Sequence, residues 1–341
     1  MKNQIYPSTK LKSVSSSKLS ATSCDRYYFW QWILNLVPKK LNISLWFGTV
    51  MHAAFKAIAK PKLHKKIYQI MDDASKAELS KYALVAEDSS EIQLQLAIAK
   101  TMIKVYLDEY SNKITQLDNI QTEVPFATKL IESPITYYGT IDAYGTEKQK
   151  LVMTERKTTK IISDDFFALL KFDVQINMYA YALKTEICGK YPTRCNYTAF
   201  RKPQIRVNKN ETVAQFMKRL EEDLHKRKEW YYVTFKHNFG KRSISEVVAD
   251  VEQTTLELHL KYKRLTTEQL LNPYNWPRRR SHCLWYGVCP YIILCKNCEK
   301  YPLYLRLFQQ RELRYDLEHT ELSKKPLRLG NPILKLNGGE K

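Results

Sequence analysis

Two carboxylates and a lysine in the middle of the chain have the types and spacing needed for metal-dependent phosphodiester hydrolysis. Asp142 lies near the end of one predicted strand, and Glu155 and Lys157 stand two positions apart on the next strand. Residues i and i+2 of a strand face the same side, so we expect Glu155 and Lys157 to point into one cleft. If the strands pair, both carboxylates converge on one divalent cation that activates water. Lys157 would then orient that water or stabilise the pentavalent phosphorus.

The same residues also fit a charged, solvated strand face, because an aspartate followed by Glu-x-Lys occurs often by chance. Two further patterns bear on this choice. His52 lies on an apolar helical stretch after Gly48, where a core or surface histidine is the alternative interpretation. Gln175 and Tyr179 stand at i and i+4, on one face of a predicted helix. The alternative there is a helix that buries its tyrosine.

Five cysteines near the two ends of the chain form a second candidate site: Cys24, Cys283, Cys289, Cys295 and Cys298. Four cysteinates can bind a 4Fe–4S cluster or a structural zinc ion. The alternative, a set of unrelated thiols in a reduced compartment, is disfavoured because the last four cysteines fall within sixteen residues. The remaining Cys188 and Cys195 are predicted to be buried small residues.

The charge of the chain favours a polyanionic partner. Lysine and arginine number 55 and aspartate and glutamate 35, so the net charge is 55 − 35 = +20. Phosphate contacts and counterion release would attract DNA or RNA, although a ribosome or a membrane surface would fit the charge equally well. The densest basic run gives the best candidates for phosphate contact: Arg278, Arg279 and Arg280. Several aromatic residues near these runs either stack on unpaired bases or pack in a core: Tyr27, Tyr28, Trp30, Trp32 and Trp276.

Composition also limits the cellular compartments in which we expect the protein. The longest apolar runs of the 341 residues fall far short of the ~18 residues needed to span a bilayer. The first twelve residues contain no apolar segment of signal-peptide type. We therefore expect a cytoplasmic protein that is not secreted and does not insert in a membrane, with its cysteines reduced.

The order of predicted elements indicates an α/β core inside a large helical envelope. We predict helices over residues 27–37, 45–58, 166–187, 212–231 and 244–265, and strands over 120–130, 135–144, 150–158 and 195–202, with a hairpin turn at 145–149. Ser17 or Ser20 is a candidate helix N-cap, and Gly48 would let its helix approach another backbone.

We expect one nuclease-like unit over residues 1–341. Its parts are a helical region with the leading cysteine and the histidine (14–115), a core (116–208), a helical region with the trailing cysteines (209–301) and a tail (302–341). The tail would pack over the cysteines or bind a partner.

Together these motifs resemble the RecB-like branch of the PD-(D/E)xK nuclease superfamily. That branch carries, in order, G-x-x-x-H, an aspartate after a strand glycine, (D/E)-x-K and Q-x-x-x-Y. Here the four motifs are Gly48 to His52, Asp142, Glu155 to Lys157, and Gln175 to Tyr179, over residues 17–180. The resemblance implies a restriction-endonuclease-like core, which is a mixed central sheet flanked by helices, with a helical envelope and a cysteine-cluster staple.

The resemblance also implies roles for these residues. It implies that Mg²⁺ or Mn²⁺ is bound by His52, Asp142, Glu155 and the backbone carbonyl of Arg156. Lys157 would be the catalytic lysine, and Gln175 and Tyr179 would position the DNA strand and the lysine. The glutamate at position 155, where aspartate is commoner, is accepted by the family.

Iron–sulfur members of the branch are similar in their cysteines. In CRISPR-associated adaptation exonucleases and AddB-type nuclease domains, one cysteine precedes the core, three follow it, and together they hold a 4Fe–4S cluster. The resemblance implies the ligands Cys24, Cys283, Cys289 and Cys295, with Cys298 as the spare. Some members use a tighter C-x2-C, so an assignment through Cys298 stays open.

The implied activity is a DNA exonuclease that acts on single-stranded or duplex ends in replication, recombination or repair, in a prokaryotic cell or a virus-infected host cytoplasm. The chain has no G-x-x-x-x-G-K-[ST] motif, so ATP-driven unwinding would need a helicase or recombination partner. A structure-specific endonuclease and a non-cutting DNA-binding protein are the alternatives, and the oligomeric state is open.

Overall fold

A computed structural model describes residues 4–82, 86–111, 117–284, 287–313 and 315–327. Its α-helices are α1 (Ser16–Ser20), α2 (Asp25–Tyr28), α3 (Ile43–Ile58), α4 (Ile67–Leu79), α5 (Ala86–Tyr110), α6 (Asp164–Ala168), α7 (Val174–Ala182), α8 (Val213–Lys226), α9 (Lys228–Tyr231), α10 (Lys241–Arg264), α11 (Thr267–Leu270), α12 (Ile292–Lys296), α13 (Tyr301–Tyr304) and α14 (Asp316–His319). Its strands are β1 (Ser13–Val14), β2 (Leu36–Pro38), β3 (Asp118–Lys129), β4 (Thr136–Glu147), β5 (Lys150–Thr159), β6 (Arg194–Arg201), β7 (Tyr232–Asn238) and β8 (Phe308–Gln310).

The chain divides into two compact units. The first consists of Met1–Lys40, Thr128–Tyr138 and Asp250–Lys341, and the second of Leu41–Ala127 and Gly139–Ala249. The candidate phosphodiesterase residues all belong to the second unit, and the five candidate cluster cysteines all belong to the first.

The strands of the mixed sheet lie in the order β1-β4-β5-β6-β7, and β3 also pairs with β4. Strands β4 and β5 are antiparallel, β5 and β6 are parallel, and β6 and β7 are antiparallel. The parallel pair is joined by α6 and α7, as expected for a crossover connection. This arrangement confirms the α/β architecture expected from the sequence, with a mixed central sheet and many helices.

Helices pack on the sheet through one apolar cluster. Phe200 on β6 contacts Phe55 on α3 and Tyr106 on α5, with ring centroids 4.6 and 4.7 Å apart. The side chain of Asn42 accepts hydrogen bonds from the N–H groups of Ser44 and Leu45 and so starts α3. The helix buries a stripe that runs from Trp46 to Ile58, which leaves His52 and Lys56 on its more polar side.

The helix expected over residues 166–187 is broken into pieces. Helix α6 is followed by a 3₁₀ turn, Leu169–Phe172, and then by α7, which passes into a π-helical turn at Leu183–Ile187. The break has a local cause, because Asp173 takes an extended conformation and its carboxylate accepts the N–H of Ile176 at 3.0 Å. An N-cap in the middle of an apolar pattern begins a new helix.

The first unit is built on aromatic packing. Trp276 stacks on Tyr28 with centroids 5.7 Å apart, and Trp30 contacts Tyr301 at 5.2 Å. Of the five aromatic residues considered for base stacking, Tyr28, Trp30, Trp32 and Trp276 are buried, so for these four the core-packing interpretation holds. Ser15, not Ser17 or Ser20, caps α1, since its hydroxyl accepts the N–H of Lys18.

Within the part of the chain that the structure describes, none of the helices has both the length and the apolar character needed to cross a bilayer.

Candidate active site

Strands β4 and β5 bring the predicted carboxylates together. Their antiparallel register pairs Ala143 with Thr154, and this places the neighbouring Asp142 beside Glu155. Glu155 is 4% exposed, whereas Lys157, two positions further along β5, is exposed. The expectation that all three side chains share one cleft stays a prediction.

The surroundings of the buried carboxyl group of Glu155 disfavour its charged form. Burial raises its pKa well above the ordinary value, the nearby carboxylate of Asp142 raises it further, and the ammonium of Lys157 opposes the increase. Its Oε1 accepts a hydrogen bond from the amide of Gln175 at 3.2 Å. Its Oε2 is buried without a hydrogen-bond partner. A buried carboxylate oxygen without a donor is costly, and a bound cation would remove that cost.

His52 reaches the same cleft from α3. Its Nε2 lies 3.0 Å from Oδ1 of Asp142, and this hydrogen bond is the main reason why the pKa of His52 is raised above its ordinary value. On the other side of the ring, Nδ1 lies 3.7 Å from Oε1 of Glu123. His52, Glu123 and Asp142 offer ligand atoms that all lie within 4.8 Å of one another.

Glu123 was missed by the sequence interpretation. It lies on β3, and nothing in its spacing distinguishes it from the other acidic residues of the chain. The structure distinguishes it in two ways. Its backbone has a φ of 54°, in the left-handed region that residues other than glycine rarely adopt, and its Oε1 is buried without a hydrogen-bond partner.

The donor set fits a hard divalent cation. Two neighbouring ligands of an octahedral Mg²⁺ at about 2.1 Å are themselves about 3.0 Å apart, which is the distance between His52 Nε2 and Asp142 Oδ1. Carboxylate and carbonyl oxygens are the ligands that suit Mg²⁺ or Mn²⁺, and imidazole is more usual on later first-row metals. The buried carboxylate oxygen Glu155 Oε2, which has no hydrogen-bond partner, adds to this fit.

Gln175 and Tyr179 form a hydrogen-bonded pair behind Glu155. The amide of Gln175 donates to the hydroxyl of Tyr179 at 3.0 Å as well as to Glu155. The ring of Tyr179 meets Phe126 edge to face, with centroids 5.7 Å apart. A Cβ atom at Gly139 would lie 3.0 Å from Phe126 and 3.4 Å from Tyr179. The glycine that precedes Asp142 therefore makes room for both rings.

Two motif positions, Arg156 and Gly48, make no contact within the described part of the chain that explains their place in the motifs. Arg156 lies between Glu155 and Lys157 on β5 and pairs with Thr198 of β6, and the ligand role of its carbonyl stays a prediction. Gly48 lies one turn before His52 on α3, and a Cβ atom there would meet nothing within 4 Å among the described residues. The expectation that Gly48 permits a close approach of another backbone is therefore wrong.

The candidate cluster cysteines lie near one another in the first unit. Burial raises the pKa of the Cys289 thiol to about 11, and the thiols of Cys295, Cys283 and Cys24 act on it in the same direction. These are the four cysteines predicted as ligands. The backbone N–H of Cys289 also donates to the carbonyl of Cys283 at 2.9 Å.

Donors from three different segments point at the sulfur atoms. The backbone N–H of Arg279 lies 3.4 Å from Cys24 Sγ. The indole N–H of Trp30 donates to Cys295 at 3.3 Å, and the guanidinium group of Arg26 donates to Cys298 at 2.9 Å. Such donors stabilise thiolate ligands. The charge of Arg26 also opposes the rise in the pKa of Cys295, so this contact does not separate Cys298 from the other cysteines.

The remaining predicted positions are as follows. Arg278, Arg279 and Arg280 are exposed, next to the cysteines in the chain, and Arg278 donates to the carbonyl of Cys295 at 3.4 Å. Cys195 is buried on β6, as predicted, while Cys188 is only partly buried.

Comparisons with known proteins give one family. A family model described as the PD-(D/E)XK nuclease superfamily matches residues 13–296. The crystal structure of a "Putative exonuclease" from Eubacterium rectale is 14% identical, with a TM-score of 0.44, and the match covers 74% of this chain and 82% of that one. The crystal structure of SSO0001 is 12% identical, with a TM-score of 0.29, and the match covers 75% and 84% of the two chains. No curated protein matches this chain.

Proposed function

Because the chain belongs to the PD-(D/E)XK nuclease superfamily, whose members cleave nucleic acids with the help of divalent metal ions, we propose that it is a DNA exonuclease with a structural 4Fe–4S cluster. The observation that carries the nuclease part is the hydrogen bond between His52 and Asp142, beside the buried Glu155, one oxygen of which has no hydrogen-bond partner. The net charge of +20 supports a polyanionic substrate.

The residues of the cleft have separate tasks in this proposal. His52, Asp142 and Glu155 hold Mg²⁺ or Mn²⁺ together with the carbonyl of Arg156. The bound ion supplies charge neutralisation at phosphorus and a more acidic water.

Lys157 is exposed on β5, two positions after Glu155, and its ammonium can stabilise negative charge that develops on the phosphate. Gln175 holds the carboxylate of Glu155 in its orientation through the 3.2 Å hydrogen bond. Tyr179, as the partner of that amide, limits its rotation.

The cluster part of the proposal concerns the first unit. The proposed ligands are Cys24, Cys283, Cys289 and Cys295. The other three thiols lie close enough to Cys289 to influence its pKa, and Cys298 influences that of Cys295. Four cysteinates can also bind a structural zinc ion, and the iron and zinc contents of the protein distinguish the two.

Further parts of the proposal concern substrate and setting. We place Arg278, Arg279 and Arg280 in contact with DNA phosphates, because they are exposed and consecutive. Replacing all three with alanine should weaken DNA binding and flatten its salt dependence. Single-stranded and duplex ends, a helicase or recombination partner and a role in replication, recombination or repair belong to the same proposal, as do a cytoplasmic location and one nuclease unit over the whole chain.

A nuclease time course tests the activity. Anaerobically purified protein is incubated with end-labelled single-stranded DNA, linear duplex DNA and closed circular DNA, with Mg²⁺, Mn²⁺ or EDTA. We expect metal-dependent loss of linear DNA that spares circles and is absent in Glu155→Ala protein. Cutting of circles would instead indicate a structure-specific endonuclease, and tight binding without cutting in any metal would indicate a non-cutting DNA-binding protein.

A further inference from the structure

We propose that Glu123 is a positioning residue for the metal ligand His52, and that Lys56 holds Glu123 in place for this task. The inference rests on the proposed metal site. Neither residue belongs to the four motifs that link the chain to its superfamily. Glu123 is identified by its contact with the imidazole ring of His52, and Lys56 by its contact with Glu123.

The two nitrogens of that ring face different carboxylates. Nε2 lies 3.0 Å from Oδ1 of Asp142, on the side of the buried Glu155. Nδ1 lies 3.7 Å from Oε1 of Glu123. A histidine that binds a metal through one nitrogen usually donates the N–H of the other nitrogen to a carboxylate, which fixes the tautomer and the ring orientation. Glu123 occupies the place of that carboxylate.

The oxygen that faces the ring is free for this role. Oε1 of Glu123 is buried and has no hydrogen-bond partner, whereas Oε2 is held by Lys56 Nζ at 2.8 Å. Lys56 lies one turn after His52 on α3, so the two side chains share a face of the helix. The ammonium therefore fixes one oxygen of Glu123 and leaves the other directed at the imidazole.

The backbone of Glu123 supports a specific role for its side-chain direction. A φ of 54° inside a strand interrupts the alternation of side chains, and such irregularities next to active sites re-aim a side chain. Left-handed residues other than glycine cost of order 1–3 kcal/mol and persist where the surrounding structure requires them.

Without an ion, Nε2 and Asp142 can share a proton in their hydrogen bond. Binding of an ion at Nε2 requires that nitrogen to be unprotonated, so the ring proton must reside on Nδ1. A carboxylate 3.7 Å away favours that tautomer, and a small rotation of the ring would close the hydrogen bond. Glu123 would thus raise metal affinity without touching the metal.

The test measures Mn²⁺ affinity by the loss of the free Mn²⁺ electron paramagnetic resonance signal, with no DNA present. Glu123→Ala should weaken Mn²⁺ binding about 10- to 100-fold, and Glu123→Gln, whose amide oxygen can still accept from Nδ1–H, should weaken it much less. Lys56→Met should give an intermediate loss. Thermal unfolding of each variant identifies any that fail to fold, and the Gln and Met variants then carry the test.

A double-mutant cycle separates positioning from direct ligation. If Glu123 acts through His52, Glu123→Ala should have almost no further effect on Mn²⁺ affinity in a His52→Ala background. Additive losses would overturn the inference and make Glu123 a direct ligand, and a Glu123→Ala protein with unchanged affinity would overturn it as well. If His52→Ala alone leaves Mn²⁺ affinity unchanged, the proposed metal site itself fails, which is a distinct outcome.

Discussion

The side-chain amide of Gln175 donates a hydrogen bond to Oε1 of Glu155 over 3.2 Å and so ties α7 to the carboxylate of β5. The same amide donates to the hydroxyl of Tyr179 at 3.0 Å. Because Glu155 is 4% exposed, water cannot easily replace a lost donor. The orientation of the buried carboxylate therefore depends on a residue twenty positions later in the chain.

Removing that donor should impair the proposed chemistry more than the fold. We expect Gln175→Ala to lower metal-dependent DNA cleavage by about 10- to 100-fold, the usual effect of losing a hydrogen bond to a metal ligand. Tyr179→Phe keeps the ring contact with Phe126 and should cost less than about tenfold. Initial rates on end-labelled DNA, with thermal unfolding as the control, measure both. A Gln175→Ala enzyme with the wild-type rate would contradict this role.

The two motif glycines should respond oppositely to alanine. Gly48 lies inside α3, and a Cβ atom there meets no described residue within 4 Å. Gly48→Ala should therefore stabilise the protein by about 0.5–1 kcal/mol through the better helix propensity of alanine. Chemical denaturation measures the change. A destabilised Gly48→Ala protein would show that α3 requires a glycine at this position and would contradict the open space around it.

Gly139→Ala is the matched comparison. The new methyl group would lie 3.0 Å from the ring of Phe126 and 3.4 Å from that of Tyr179, and overpacking of this kind typically costs about 1–3 kcal/mol. Because the displaced ring of Tyr179 carries the hydroxyl that holds Gln175, cleavage should fall together with stability. Equal stability of Gly139→Ala and wild type would contradict the tight packing.

Much of the fold was predictable because local patterns agree with it. The fold class is confirmed, and the strands β3, β4 and β5 begin and end within a few residues of their predicted bounds. Strand β7 was missed, since its middle is exposed while Tyr232 and His237 are buried, which is not the strict alternation that identifies a strand. The helix break at Asp173 was missed because an apolar pattern conceals a capping residue.

The site was predictable only where a motif carries it. His52 and Asp142 are separated by 90 positions, and no local pattern brings them together; their pairing followed from a family resemblance. Glu123 lies outside that resemblance, and its direction depends on a left-handed backbone and on Lys56, both of which are set by tertiary packing. Which of these residues act in catalysis stays a prediction.

Of the five cysteines near the two ends of the chain, we expect four to be cluster ligands and Cys298 not to be one. Cys24→Ala should lose the brown chromophore of an iron–sulfur protein and become insoluble or protease-sensitive, because the cluster closes a long loop of the unfolded chain. Cys298→Ser should keep the colour, since the predicted ligand set leaves Cys298 as the spare. Iron, sulfide and zinc contents of the anaerobically purified proteins provide the measurement. Zinc in place of iron, or a colourless Cys298→Ser protein, would require a different assignment.

A buried ion pair should make a large contribution to the stability of the first unit. Nζ of Lys18 lies 2.6 Å from Oε2 of Glu321, and each side chain is 2% exposed. Burial lowers the pKa of Lys18, so this ammonium depends on its partner. Lys18→Met should destabilise by about 3–5 kcal/mol, because it leaves a buried charge uncompensated. Lys18→Met combined with Glu321→Gln should recover part of that loss, since the amide oxygen can still accept from Ser13. Denaturation midpoints of the wild type, Lys18→Met, Glu321→Gln and the double variant measure the coupling, and strictly additive effects would contradict it.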